Sequence, residues 1–180
     1  MKNPPITIDA TGHARLSASA AERWMNCPGS VNLAQGESST SAAAAQGTFA
    51  HQIGAECLAA GTNAAAWLGQ KALVDGHMIE CDDEMVEGVQ LYVDECRKMT
   101  LDKRWVELSL AAALQTWDAD LGGTADFATY SPAKKLLRVV DFKYGQGLFV
   151  SAEDNRQLKV YAFGALLAIN APVDTVEVYI

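Results

Sequence analysis

Two aspartates and a lysine stand in a spacing that suits divalent-metal chemistry on a phosphate. The segment runs Gly122-Gly123-Thr124-Ala125-Asp126, passes a polar stretch at Ser131-Pro132-Ala133-Lys134-Lys135, and continues Leu136-Leu137-Arg138-Val139-Val140-Asp141-Phe142-Lys143. Both flanks are rich in β-branched and aromatic residues and the middle carries Pro, which predicts a β-hairpin. With a loop at residues 132–135, Ser131 faces Leu136, and counting back along the pairs sets Asp126 opposite Asp141. Opposed residues have Cβ atoms about 4.5–5.5 Å apart, and like charges so placed repel unless a cation lies between them. Lys143 follows Asp141 by two positions, so the strand period returns it to the same face. Mg²⁺ or Mn²⁺ held by carboxylates polarises a phosphate oxygen and lowers the pKa of a bound water, while a nearby ammonium orients that water or neutralises developing charge. The alternative is an ordinary hairpin with an Asp–Asp–Lys cluster on its surface. Val139, Val140 and Phe142 argue against it, because they make the second strand apolar on both faces, as in a strand covered on both sides. An acid and a lysine inside such a strand are costly without partners.

The elements that must position these residues follow from periodicity and punctuation. Residues 1–16 are expected to form a flexible arm. A first helix starts at Ser19, with Glu22 as a capping-box partner, and stops before Pro28. Residues 35–41 are small and polar and predict a loop; an alanine-rich helix with Gly47, His51 and Glu56 follows over about 41–60. Apolar residues at Met85, Val86, Val89, Val93 and Cys96 give residues 82–99 the spacing of an amphipathic helix. Residues 105–110 alternate as a strand holding Glu107. After the hairpin come a helix over about 152–169, with Leu158, Ala162, Ala165, Leu166 and Ile169 inward, and a strand over 173–180. Helices, three strands, a helix and a strand predict a mixed α/β sheet with helices for both faces. The chain stops on an apolar strand, so the domain is expected to continue past Ile180.

Composition bounds the rest. A chain of 180 residues with 49% hydrophobic content buries a sizeable core in one domain. The start has no apolar signal region, and no stretch approaches the ~18 apolar residues of a membrane span, so a cytoplasmic protein without a membrane partner is expected. Cys27, Cys57, Cys81 and Cys96 lack C-x-x-C spacing and read as reduced, mostly buried thiols. Trp24, Trp67, Trp105 and Trp117 read as core. The 14 basic and 22 acidic residues, net −8, work against a nucleic-acid role. The basic residues nevertheless group as Lys98, Lys103 and Arg104, as Lys134, Lys135 and Arg138, and as Arg156 with Lys159, although each group alone reads as a solvated face.

Gly47-Thr48-Phe49-Ala50-His51, Gly123-Thr124-Ala125-Asp126, Asp141-Phe142-Lys143 and Gln157-Leu158-Lys159-Val160-Tyr161 resemble, in order, the motifs of the PD-(D/E)XK nuclease superfamily. Within it they resemble the RecB-like exonuclease branch, and Ser17-Ala18-Ser19 with Cys27-Pro28 resemble that branch's N-terminal helix. The resemblance spans residues 17–180 and implies a restriction-endonuclease-like fold and a metal-dependent deoxyribonuclease, an exonuclease of phage or mobile-element DNA processing. It implies Asp126 and Asp141 as metal-binding acids, His51 and the Phe142 carbonyl as further ligands of Mg²⁺ or Mn²⁺, and Lys143 as the catalytic lysine. Gln157 and Tyr161, four apart and so on one helix face, would sit beside the active site and the DNA, with Glu107 as a looser match nearby. DNA is the implied partner, with a homo-oligomer or a phage recombination protein as further company. Members with an iron–sulfur cluster carry three cysteines after the nuclease core; here none follows Cys96, and no cluster is expected. Two other readings stay open: a non-catalytic DNA-binding or assembly module on the same fold, and a hydrolase of small phosphate esters.

Overall fold

A computed structural model describes residues 6–8, 14–33, 41–145 and 150–180. In chain order the elements are β1 (Ile6–Ile8), β2 (Leu16–Ser17), α1 (Ala21–Asn26), α2 (Ser30–Leu33), α3 (Ala42–Ala60), β3 (Lys71–Val74), β4 (His77–Glu80), α4 (Asp83–Met99), β5 (Lys103–Ser109), α5 (Ala111–Leu114), β6 (Leu121–Gly122), β7 (Thr124–Ser131), β8 (Leu136–Val140), α6 (Arg156–Ile169) and β9 (Thr175–Tyr179). This is a mixed α/β protein. It divides into two compact units, one of Met1–Thr11, Ser38–Lys98 and Phe142–Leu148, the other of Gly12–Glu37, Met99–Asp141 and Phe149–Ile180. The expected division was instead an arm over 1–16 followed by one domain.

The first unit is a small sheet with two helices. Helix α3 begins where the Ser41 hydroxyl accepts a bond from the Ala44 N–H at 3.2 Å and ends at Gly61, whose φ of +71° favours a residue without Cβ. Helix α4 starts where the Asp82 carboxylate accepts from the Met85 N–H at 2.9 Å, and it buries Met85, Val89, Tyr92, Val93 and Cys96. Strands β3 and β4 form a hairpin absent from the sequence expectations. Its turn, Asp75-Gly76, has φ of +45° and +82°, the two positive values that a two-residue primed turn requires. Residues 6–8 of the expected arm are β1, paired parallel to β3.

The second unit is built on a four-stranded sheet in the order β5-β7-β8-β9, antiparallel except for the parallel pair β8/β9. The hairpin turns over residues 132–135 as expected, and five pairs run from Ser131↔Leu136 to Phe127↔Val140. Helix α6 covers one face, where Leu158, Val160, Tyr161 and Ala165 pack with Tyr130, Leu137 and Val139 in a core shared with Ala18, Ala21, Leu110 and Leu114. This helix starts four residues later than the expected 152, because Asn155 caps it by accepting from the Leu158 N–H at 3.0 Å. The first helix also differs: residues 18–20 form a 3-10 turn before α1, and no side chain caps either, so the Ser19/Glu22 capping box does not form. The Ser19 hydroxyl instead lies 3.2 Å from that of Ser17. Of the loop expected at 35–41, only Ser41 is among the described residues. Among the tryptophans, Trp117 departs from the core expectation at 69% exposure, whereas Trp24, Trp67 and Trp105 are partly buried. No described helix is long and apolar enough to cross a membrane.

Candidate functional site

Within the second unit, chain register assembles a carboxylate cluster at one end of the sheet. The last ladder pair of the hairpin is Phe127↔Val140, so the next residues in register are Asp126 and Asp141. Both are buried, at 7% and 2% exposure. Strand β8 was expected to run on to Lys143, but it ends at Val140. The Asp141 N–H still continues the neighbouring ladder, donating to the Tyr179 carbonyl at 3.0 Å, so the carboxylate hangs from an anchored backbone.

A third acid comes from the opposite neighbour of β7. The β5/β7 register passes from Val106↔Phe127 to Leu108↔Ala125, which leaves Glu107 facing Asp126. Their carboxylate oxygens lie within 4.8 Å of one another. Glu107 has a φ of +52° in mid-strand with no extra residue on either strand, so this is not a bulge. A left-handed residue bearing a Cβ costs about 1–2 kcal/mol, a strain that persists only where the surroundings impose it. By sequence alone Glu107 is a looser match than the two aspartates. Alternation alone could place it on a strand, but nothing in residue type announced the strained backbone.

Helix α6 lays two polar residues over this cluster. The Gln157 side-chain amide donates to Asp141 Oδ1 at 3.1 Å and to Tyr161 Oη at 3.0 Å. The spacing of four does put both on one face. Burial pushes the Tyr161 phenol well above its ordinary range; the Gln157 bond works against that rise, and the charges of Asp141, Asp126 and Glu107 add to it. Close packing fixes the ring: a Cβ on Gly123 would lie 3.0 Å from Ala18 Cβ and 3.2 Å from Tyr161 Cε1. The approach of α6 and the N-terminal turn therefore favours glycine three residues before Asp126, since any side chain there would have to push one of these neighbours aside.

His51, Phe142 and Lys143 belong to the first unit. There the Phe142 ring is buried, stacked on Tyr92 with centroids 4.3 Å apart and planes at 13°, and lies 5.2 Å from the His51 ring. Tyr144 adds a third aromatic neighbour at 6.3 Å. His51 is half-buried on α3 and Lys143 is exposed. Glu56, read as a solvated residue, is exposed and accepts from the Gln52 amide at 3.1 Å. Three of the four cysteines are buried thiols and Cys27 is exposed; burial pushes Cys81 up to about 11, with smaller increments from Asp82 and Cys57.

Within the second unit Glu107 and Asp126 bring carboxylate oxygens within 4.8 Å of one another and Asp141 is the next residue in register beside Asp126, and carboxylate oxygens are the donors that suit a hard divalent cation such as Mg²⁺ or Mn²⁺. No solved structure matches the chain. A family model matches residues 13–180, and the chain therefore belongs to the family described as "Protein of unknown function (DUF2800)".

Proposed function

We propose that this protein is a Mg²⁺- or Mn²⁺-dependent deoxyribonuclease with a restriction-endonuclease-like fold, acting as an exonuclease in phage or mobile-element DNA processing. One observation carries the reading: two buried aspartates, Asp126 on β7 and Asp141 just past the end of β8, are the next residues in register beyond the Phe127↔Val140 pair, and Gln157 of α6 bonds the second of them. Like charges in register on neighbouring strands repel, and a divalent cation bound by the two carboxylates would offset that repulsion. When bound, the ion polarises the scissile phosphate and lowers the pKa of a water. The chain's own residues do the rest. Asp126 and Asp141 supply oxygens, with Glu107 as a third acid facing Asp126. Gln157 holds the Asp141 carboxylate in one orientation, and Tyr161 fixes the Gln157 amide from its far side. The resemblance adds His51 and the Phe142 carbonyl as further ligands and Lys143 as the group that orients water or offsets phosphorane charge.

The net charge of −8 favours a second reading, a non-catalytic DNA-binding or assembly module that draws its basic surface from a partner. Incubation with Mn²⁺ or Mg²⁺ and end-labelled linear and circular DNA separates the two. The nuclease reading expects metal-dependent loss of linear DNA, abolished by Asp126→Ala, Asp141→Ala and Lys143→Ala. DNA binding without cleavage, equal in wild type and Lys143→Ala, selects the module.

A further inference from the structure

The second unit carries an aromatic pair that its core does not use. Trp117, in the turn after α5, is 69% exposed, and Phe163 on α6 is 38% exposed. Their rings meet edge to face, with centroids 5.2 Å apart and planes at 74°. Large aromatics left in water at this cost are commonly contact surfaces.

Helix α6 gives the pair its context. Its buried side bears Gln157 and Tyr161 at the carboxylates, and its sequence holds two cations, Arg156 and Lys159, and no acid, within a chain of net charge −8. Lys159 and Phe163 are four apart and share the outer side of the helix. Both cations have acidic partners that are themselves largely in water, Glu22 for Arg156 and Asp154 for Lys159. Such exposed pairs contribute little, so a phosphate can replace the carboxylate. The acids beside Trp117 are occupied: Asp120 pairs with Arg15 at 3.1 Å, and Asp118 accepts from the Asp120 N–H at 2.9 Å.

We infer that Trp117 and Phe163 form a stacking platform for the bases of a single nucleic-acid strand, whose phosphates run along Lys159 and Arg156 on the outer side of α6. The inference rests on the nuclease reading for its choice of occupant. Bases stack on aromatic faces whatever their sequence, and lysines follow the backbone. From Gln157 to Phe163 the helix rises about 9 Å, and its width of about 10 Å separates the buried side from the outer one, together a span of roughly four nucleotide steps. The platform therefore suits a strand held a few nucleotides from the bond being cut.

Fluorescence anisotropy of an end-labelled oligothymidine, measured with EDTA present, tests the platform apart from catalysis. Trp117→Ala should weaken binding by about 5- to 150-fold and Phe163→Ala by a comparable factor, while Trp117→Phe keeps most of the affinity. Lys159→Ala should reduce the slope of log affinity against log salt by about 0.7. Trp117 is exposed, so unchanged thermal unfolding of its variants separates lost stacking from lost fold. Wild type that binds no oligothymidine overturns the inference. So does equal binding by Trp117→Ala, and if wild type cleaves DNA in that case the nuclease reading survives alone. Binding lost in Trp117→Ala, from a wild type that never cleaves, upholds the platform and sinks the nuclease. An oligomer that dissociates in Trp117→Ala without any change in oligothymidine binding makes the face a protein interface and overturns the inference.

Discussion

Two hairpins in this protein end on charged cross-strand positions, and they handle the charge in opposite ways. At the open end of β3/β4, Lys71 faces Glu80, and the two pair at 2.8 Å with side chains 43% and 48% exposed. At the open end of β7/β8, the in-register residues are Asp126 and Asp141, both buried. The first pair neutralises itself in water and asks nothing further of the fold. The second sets like charges under a helix, an arrangement that stability alone does not favour and that a cation makes useful. The contrast separates a hairpin end that neutralises itself from one that does not, without reference to any motif.

Replacing one acid of the buried pair should have the largest effect, far greater in activity than in stability. Asp141→Asn should lower metal-dependent cleavage by about 10³-fold or more, since a charge-bearing ligand is gone. In EDTA the same variant should keep its fold, with a change of under about 1 kcal/mol in urea unfolding. A loss in both readouts would make the pair structural, like Lys71 and Glu80.

Gln157→Ala comes next, with an expected loss of about 10- to 100-fold in activity and a smaller change in stability, since the amide orients Asp141 and does not carry charge. A change in KM alone would place Gln157 on the substrate instead.

Tyr161 gives a pH test. Burial, opposed by Gln157 and reinforced by the acids, raises the folded-state pKa above the ordinary 10.0. A raised pKa means the folded state holds the proton more tightly, so its contribution is complete below pH 10 and is lost as pH rises beyond it. The Tyr161→Phe variant should therefore lose less stability than wild type between about pH 10 and 12, followed by chemical unfolding at each pH. Identical alkaline limbs would contradict the burial of an intact phenol there.

The smallest effect belongs to the exposed pair. Lys71→Ala should cost under about 1 kcal/mol, with the difference fading at high salt, and leave cleavage unchanged.

Much of this was legible in the sequence because it rests on local chemistry. Ser131-Pro132 and Lys134-Lys135 marked the turn, and turn length fixes register, so the facing of Asp126 and Asp141 followed by counting. The spacing of Gln157 and Tyr161 fixed their common helix face. Other features depended on tertiary contacts that residue types do not announce. Glu107 sits on an ordinary alternating strand, and its left-handed backbone appears only when β7 is laid beside it. Trp117 looks like any core tryptophan until the turn after α5 leaves it in water. The β3/β4 hairpin was announced by Asp75-Gly76 between short apolar runs, a signal present in the chain and missed. The 3-10 turn at residues 18–20 displaced a capping box that the Ser19/Glu22 spacing alone supports.

The central claim is that the buried aspartate pair is a cation site, and titration of Mn²⁺ into the metal-free protein by isothermal calorimetry tests it most directly. The account predicts binding by wild type that is lost in Asp126→Ala and in Asp141→Ala, with Lys71→Ala binding as wild type does. Absence of binding by folded wild type, or equal binding by all four proteins, would contradict it.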